Sequence, residues 1–478
     1  MTIERVIVAG FKSFAERTEV ALRPLTILAG ANGAGKSTLM HALLLLKQTL
    51  ESDYDAGPLR LDGPHVAFSQ VEQMLWSGPP QKATTFTLGL HVSGQIGYEA
   101  TFAKGTDGAV PLAITEAKYI YRDQLSTLSP VPSQEQLSVY VKLLSNLLRD
   151  ANASKIFNLD IGSVLSLLAG LDIQIPTTPD VQDLSLSGSV KLLLPITSDI
   201  QDLSLSGSVQ RERCFLFVPW VTARVSKSES EHIVFLNGPP AQAHIRRCVQ
   251  SIIHLPGLRG NPSRTYPAAA VGSSFRGPFT HYVASVIAEW QRRQDGRLDR
   301  LSEDLKALGL TSRVRAHQVS DVALALRVGR TANAQGDDTV DIADAGLGLS
   351  QALPVLVALL VAEPGQLVLV EHPELHLHPR AVRALAGPLR RAIGRGVWVV
   401  LETHSDLLLI SLQEQVARGA LRPQDVLLHW VQRDERGASV LHSTTLDANG
   451  DWGEDIPVDF EDIRLKAVSS YLKATFKM

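Results

Sequence analysis

Cysteine is nearly missing from this chain: among 478 residues only Cys214 and Cys248 occur. Two thiols exclude a disulfide-stapled scaffold and fit a reducing compartment, so a cytoplasmic location is expected. Long apolar runs are missing as well. The longest, 41–46 and 353–362, are ten residues or shorter, against the roughly 20 needed to cross a bilayer. No membrane association is expected, and the opening MTIERV has no apolar stretch of the kind a secretory signal needs. An excess of one charge is also lacking. The formal net charge is −3, so the global balance does not announce a nucleic-acid binder. What is present, 45% hydrophobic and 20% charged residues, is an ordinary globular composition. It rules out a disordered chain, a coiled-coil rod and a collagen-like fibre.

Residues 3–9 and 25–29 (IERVIVA, LTILA) read as short buried strands. A glycine-rich loop follows the second, and 36–50 then has helical length and apolar spacing. Residues 84–104 alternate around SGQ as a hairpin does. Residues 110–122 and 213–236 continue in β style, and 133–157 reads as helical. PTTPDVQDLSLSGSV at 176–190 recurs as PITSDIQDLSLSGSV at 195–209, a period of 19 residues. Two copies are too few for a solenoid; a duplicated surface loop is favoured over a paired β-arm that touches a partner. Helices are expected within 240–330, at 279–293 and 298–308. The last block reads as helix 349–362, strand 366–371, helix 380–394, strand 397–402 and helix 405–418. Such alternation implies a mainly parallel sheet covered by helices.

The strongest chemical signal is the run from Gly30 through Ala31, Asn32, Gly33, Ala34, Gly35, Lys36 and Ser37 to Thr38. It matches G-x-x-x-x-G-K-[ST] in the required strand–loop–helix setting. Glycines let backbone N–H groups turn inward around phosphate oxygens, and the helix start adds its positive dipole end. Lys36 can reach the β- and γ-phosphates, and Ser37 can ligate Mg²⁺. A second signal is QLVLVEHPE, an apolar strand that delivers Glu371 to its end, where an acid can serve Mg²⁺. A third is VWVVLETHSD, a strand ending near His404, with Ser405 and Asp406 able to cap the next helix. The fourth, Gly346-Leu-Gly348-Leu-Ser350-Gln351, makes a second anion-binding helix start. One nucleotide does not need two such ends from one chain, whereas a second chain could supply one.

The order P-loop, long insertion, G-x-G-x-S-Q, EHPELHLHP and ETHS, with Phe11-Lys12-Ser13-Phe14 near the start, resembles the ABC-type ATPase heads of the SMC/RecF/OLD group. It is most similar to short bacterial members found in anti-phage defence systems, over about 1–80 and 340–430. LPGLRGNPSRTY at 255–266 is a looser likeness. The resemblance implies an α/β P-loop NTPase with an inserted β/helical arm. Residues 1–130 and 341–478 would form the two parts of the head, 131–210 an inserted arm and 211–340 a β/helical arm or lid. ATP and Mg²⁺ would lie between two subunits of a homodimer or higher homo-oligomer. Gly30, Asn32, Gly33, Gly35, Lys36, Ser37 and Thr38 would cradle the phosphates. Ser37, Glu371 and a glutamine, Gln70 or Gln73, would serve the metal. Gly346, Gly348 and Ser350 would meet the partner's ATP, 375–379 would be the D-loop, and His404 the switch histidine.

Two departures stand out. The family's general base is a glutamate directly after the Walker B acid, and here that position is His372; Glu374 is an alternative. The signature also differs from the usual LSGGQ. Glu371, His372, Glu374, His376 and His378 lack the spacing of a zinc site. The expected function is an ATPase that dimerises on ATP and moves an arm or partner, in anti-phage defence with a separately encoded effector such as a nuclease. A RecF/SMC-like DNA clamp and a slow or non-hydrolysing ATP-gated scaffold are the alternatives. Arginine patches at 246–247, 259–264, 292–300 and 380–395 are candidate DNA contacts.

Overall fold

The computed structural model describes residues 2–136, 139 and 203–453, apart from gaps at 94–95, 106–110, 122–123, 132, 134, 207–209, 218–219, 226–230, 236–239 and 334–337. The first repeat copy at 176–190 and almost all of the expected helix at 133–157 lie outside the described residues. Of the second copy, Leu203–Ser206 is a strand paired antiparallel with Trp220–Val225.

The central sheet has six strands in the order Ile253–Leu255, Leu367–Glu371, Trp398–Glu402, Leu25–Gly30, Val426–Arg433 and Ser439–Thr444. The first five run parallel and the last is antiparallel. Strands buried on both faces read as continuous apolar runs, which is why LVLV and WVVL stood out. Their alternate residues divide between two cores. Leu367, Leu369 and Val400 face the helix Lys36–Glu51, whereas Val368, Val370, Val399 and Leu401 face the opposite layer.

The helix Lys36–Glu51 is buried nearly all round, the mark of a helix sandwiched between layers. Its far side is covered by a six-stranded antiparallel sheet, Thr18–Ala21, Ile3–Ala9, Thr85–Val92, Ile96–Lys104, Leu112–Tyr121 and Gln124–Leu128. Thr85–Val92 and Ile96–Lys104 are the hairpin expected from the alternation around SGQ. Phe86, Tyr98, Phe102 and Tyr119 fill the space between this sheet and the helix. On the other face of the central sheet lie the helices Val283–Arg293, Arg297–Ala307, Leu347–Val361, Ala386–Gly394 and Asp406–Ala417.

Three expectations change. The helix expected over 380–394 is two helices, Pro379–Ala384 and Ala386–Gly394; Pro388 has no N–H to offer the carbonyl of Ala384, so the ladder breaks there. The stretch 240–330, read as helical, also contains strands Val314–Ser320 and Ala323–Gly329, which pair with each other. And 211–340 is not wholly an arm or lid: Ile253–Leu255 is an edge strand of the central sheet, parallel to Leu367–Glu371. A three-residue strand is too short for a periodic signal. Among the described residues no helix is long and apolar enough to cross a membrane.

Candidate functional site

Parallel strands that end together leave a crevice beyond their carboxyl ends, the usual ligand position in such sheets. Here Glu371 pairs in register with Glu402, and Glu402 with Leu28 two residues before the loop at Gly30. The resulting cavity holds about 920 Å³ and is walled by the P-loop, the ends of the Glu371 and Glu402 strands, and the turn after Val426–Arg433.

The loop needs glycine at its two ends. Gly30 has φ +135°, and a Cβ there would sit 2.1 Å from the Val431 carbonyl oxygen. Gly35 has φ +111°, and its Cβ would lie 2.3 Å from Ser439 Oγ. The helix that follows has no side-chain cap, so its first N–H groups remain for an anion. Lys36 Nζ donates to Gly30 O at 3.0 Å and Ala31 O at 2.8 Å, so its ammonium lies folded along the loop that phosphates would fill. Burial lowers its pKa. Arg433 clamps the loop from outside by donating twice to Gly33 O. The Phe11–Phe14 turn braces it from below: both rings are fully buried, and Ser13 Oγ meets Thr38 Oγ1 at 3.5 Å.

The acid beside Ser37 is Glu402. Ser37 Oγ donates to Glu402 Oε1 at 2.9 Å, whereas Glu402 Oε2 is buried with no hydrogen-bond partner. Burial raises the Glu402 pKa. Glu371 is turned the other way, along the same face of the sheet. Its Oε1 meets His254 Nε2 at 3.2 Å and its Oε2 accepts from Gly257 N at 2.9 Å. Burial would raise its pKa, but the His254 hydrogen bond and the Gly257 amide hold it below the usual carboxylate value.

His372 has φ +44°, a conformation that β-substituted residues rarely hold and that concentrates at functional sites. Its ring lies 3.7 Å from both Glu374 Oε1 and Glu402 Oε1 and stacks on His404 at 5.1 Å between centroids. The Glu374 contact raises the His372 pKa, while burial followed by repulsion from Lys36 and His372 lowers that of His404. Glu374 also accepts from His404 N at 3.1 Å. His372, Glu402 and His404 offer donor atoms within 4.8 Å of one another. An oxygen-rich corner with an unpaired buried carboxylate next to the P-loop serine fits Mg²⁺ held by Ser37 and Glu402.

The remaining expected site residues divide. Asn32, Gly33, Thr38 and Gln73 line the cavity, but Gln70 does not. Gln70 and Gln73 sit at opposite ends of one short turn, Val71–Gln73; the Gln73 amide oxygen accepts from Ser69 N and Gln70 N, and its amide nitrogen donates to Ser69 Oγ. Gly346, Gly348 and Ser350 lie outside this cavity at the start of Leu347–Val361. A Cβ on Gly348 would come within 2.8 Å of His376 O, so glycine lets this helix start press against the D-loop segment. The Ser350 hydroxyl donates to Leu347 O of its own helix. Ser405 caps Asp406–Ala417 as expected, by accepting from Leu408 N. His378 caps Pro379–Ala384 by accepting from Arg380 N. Many arginines of the candidate DNA patches are occupied: Arg264 pairs with Asp344, Arg292 with Glu289 and Arg383 with Glu414, and Arg259 donates to Glu371 O from a largely buried position.

Behind Glu371 runs a buried polar chain. His254 Nδ1 meets His65 Nδ1 at 2.8 Å, His65 Nε2 lies 3.4 Å from Glu51 Oε2, and Glu51 Oε1 pairs with Lys47 Nζ at 2.5 Å. Burial holds the His65 imidazole down at about 4, and burial with the nearby Lys12 does the same for His41. Both histidines are therefore neutral in the folded chain where the unfolded chain, at 6.5, is already taking up protons. Stability should fall as pH drops from about 6.5 towards about 4. Urea midpoints at pH 7 and pH 5 measure this. His65→Gln should flatten the slope, and an unchanged slope would remove His65 from the account.

Two family models match the chain. Residues 1–95 match one described as "AAA ATPase domain". Residues 205–411 match one described as "AAA domain, putative AbiEii toxin, Type IV TA system". No curated protein matches. Among solved structures, an Smc head bound to the C-terminal winged-helix domain of ScpA is 12% identical, with 94% of this chain and 98% of that one covered and a TM-score of 0.44. An Smc head with an extended coiled coil bound to the ScpA C-terminal domain, from Pyrococcus furiosus, is 11% identical, covering 93% and 96% with a TM-score of 0.42. The SMC head domain from Thermotoga maritima is 10% identical, covering 92% and 98% with a TM-score of 0.34.

Proposed function

We propose, from the premise that this chain carries AAA-family ATPase-domain sequence on both sides of its insertion, that it binds Mg-ATP at the P-loop and hydrolyses it in a site completed by a second copy. The observation that carries the reading is the Ser37–Glu402 contact, with its unpaired carboxylate oxygen, at the mouth of a glycine loop closed by Lys36. Lys36 would leave Gly30 O and Ala31 O for the phosphates, exchanging two carbonyl contacts for stronger charge-assisted ones. Mg²⁺, when bound, supplies neutralisation of charge on the β- and γ-phosphate oxygens. Glu402 and Ser37 hold that corner, and His404 sits where it can donate towards the γ-phosphate.

The start of Leu347–Val361, with Gly346 and Gly348, is exposed or half-exposed and lies away from its own chain's P-loop cavity. That supports a second copy as the source of the facing helix end. Light scattering with a nonhydrolysable ATP analogue tests it. We expect dimers with analogue and monomers without, and monomers in both states for Lys36→Ala. Single copies that nevertheless bind one analogue each would sink the dimer reading.

The AbiEii-type description of the matched family supports a toxin or defence setting; closure of the dimer would there move the insertion or a separately encoded effector. One observation favours a slower variant of this cycle. His372 occupies the place of the family's glutamate and is drawn towards its charged form by Glu374, so ATP binding rather than turnover could set the active state. Phosphate release from the wild-type protein separates the two: none, with tight ATP binding, identifies a gated scaffold.

A further inference from the structure

On the helical face of the central sheet, away from the P-loop helix, the helices Arg297–Ala307, Leu347–Val361 and Ala386–Gly394 enclose a second cleft of about 600 Å³. Five guanidiniums line it, from Arg297, Arg300, Arg390, Arg391 and Arg395, against one lining carboxylate, Asp304. Asp304 is buried and already engaged by Arg391, with Arg300 Nε at 3.5 Å. Arg300 also reaches out to Glu303 at 2.7 Å, and Arg297 pairs with Asp295 at 2.5 Å while lying over the Trp290 ring at 5.2 Å. Arg395 donates to the carbonyls of Leu359 and Arg391, and Arg390 Nε is buried with no hydrogen-bond partner. Among the described residues neither Arg390 nor Arg395 has a carboxylate partner. The floor is apolar, formed by Leu356, Leu359, Leu360 and Pro388.

We propose that this cleft binds a small phosphate-bearing molecule of the nucleotide class, separate from the ATP at the P-loop. Guanidinium forks match phosphate oxygens two at a time, and five of them converge where the chain supplies one lining acid. Burial holds Arg391 and Arg395 below their ordinary values; Asp304 opposes this at both, while Arg300 and Arg390 at Arg391, and Arg297 at Arg395, add repulsion. A bound anion relieves that repulsion. The leucine floor provides a surface for the planar or apolar part of the ligand. The volume falls within the range of small-molecule sites, and the arginines surround a hollow rather than forming the extended stripe that a nucleic-acid backbone would follow.

The test uses the full chain carrying Lys36→Ala, which removes the P-loop's contribution, titrated calorimetrically with ADP and with inorganic pyrophosphate. We expect saturable binding of about one ligand per chain. Adding Arg390→Glu or, separately, Arg395→Glu should weaken it about tenfold or more without lowering the melting temperature by more than a few degrees. Absence of binding by both probes in the Lys36→Ala protein overturns the proposal, as does binding indifferent to both arginine changes. Arg390-dependent binding of a short DNA oligonucleotide, with neither ADP nor pyrophosphate bound, also overturns it and marks a nucleic-acid surface instead. Because the P-loop reading is judged by the difference between wild type and Lys36→Ala, the two fail independently.

Discussion

Glu402→Gln should lower ATP turnover by about two to three orders of magnitude while nucleotide still binds. Glutamine keeps an oxygen for Ser37 Oγ, so the loop geometry survives; the negative charge that would serve Mg²⁺ does not. Steady-state phosphate release and the affinity for a fluorescent ATP analogue read the two effects apart. Glu371→Gln is the control. Its carboxylate accepts from His254 and Gly257, so its loss should appear first as lower stability and only secondarily as lower turnover. The opposite pattern, with Glu402→Gln active and Glu371→Gln inert at unchanged melting temperature, would return the metal role to Glu371.

Glu51→Gln should destabilise the fold by about 3–5 kcal/mol, the cost of leaving a buried charge without its partner. Lys47 is fully buried within the helix Lys36–Glu51. Its ammonium meets Glu51, Gln250 O at 3.0 Å and Phe275 O at 3.1 Å. The carbonyls solvate the charge but cannot neutralise it. Lys47→Met added to Glu51→Gln should recover much of the loss, since removing both charges also removes the burial penalty. Urea unfolding of the wild type, both single variants and the double variant closes this cycle. Additive losses would mean that Lys47 and Glu51 do not act as a pair.

Much of the site was legible because its chemistry is local. Gly30, Gly35, Lys36 and Ser37 are contiguous, and the φ angles and helix start they require follow from their own residue types. The ends of LVLV and WVVL were legible as strand ends for the same reason. The choice between Glu371 and Glu402 was not. Both acids stand on the same face, since 367, 369 and 371 share one parity and 400 and 402 the other strand's matching one. What separates them is strand order: the Glu402 strand lies directly beside the P-loop strand, and the Glu371 strand lies one place further. Glu371 is moreover held by His254 and the Gly257 amide, on the side away from the P-loop strand. ETHS therefore drew attention to His404 alone, and the acid two residues earlier was missed. Gln70 and Gln73 could not be told apart because the facing of a single short turn depends on what packs behind it.

The amino-acid order by itself determined the nucleotide loop, the alternation of buried strands with helices and the P-loop NTPase class, since each follows from neighbours a few residues apart. Only the tertiary structure decided which acid meets Ser37, that Ile253–Leu255 enters the central sheet, and that arginines from 297 to 395 converge on one cleft. Those facts depend on which strands and helices become neighbours, a result of packing across the whole sheet that no short window of sequence contains.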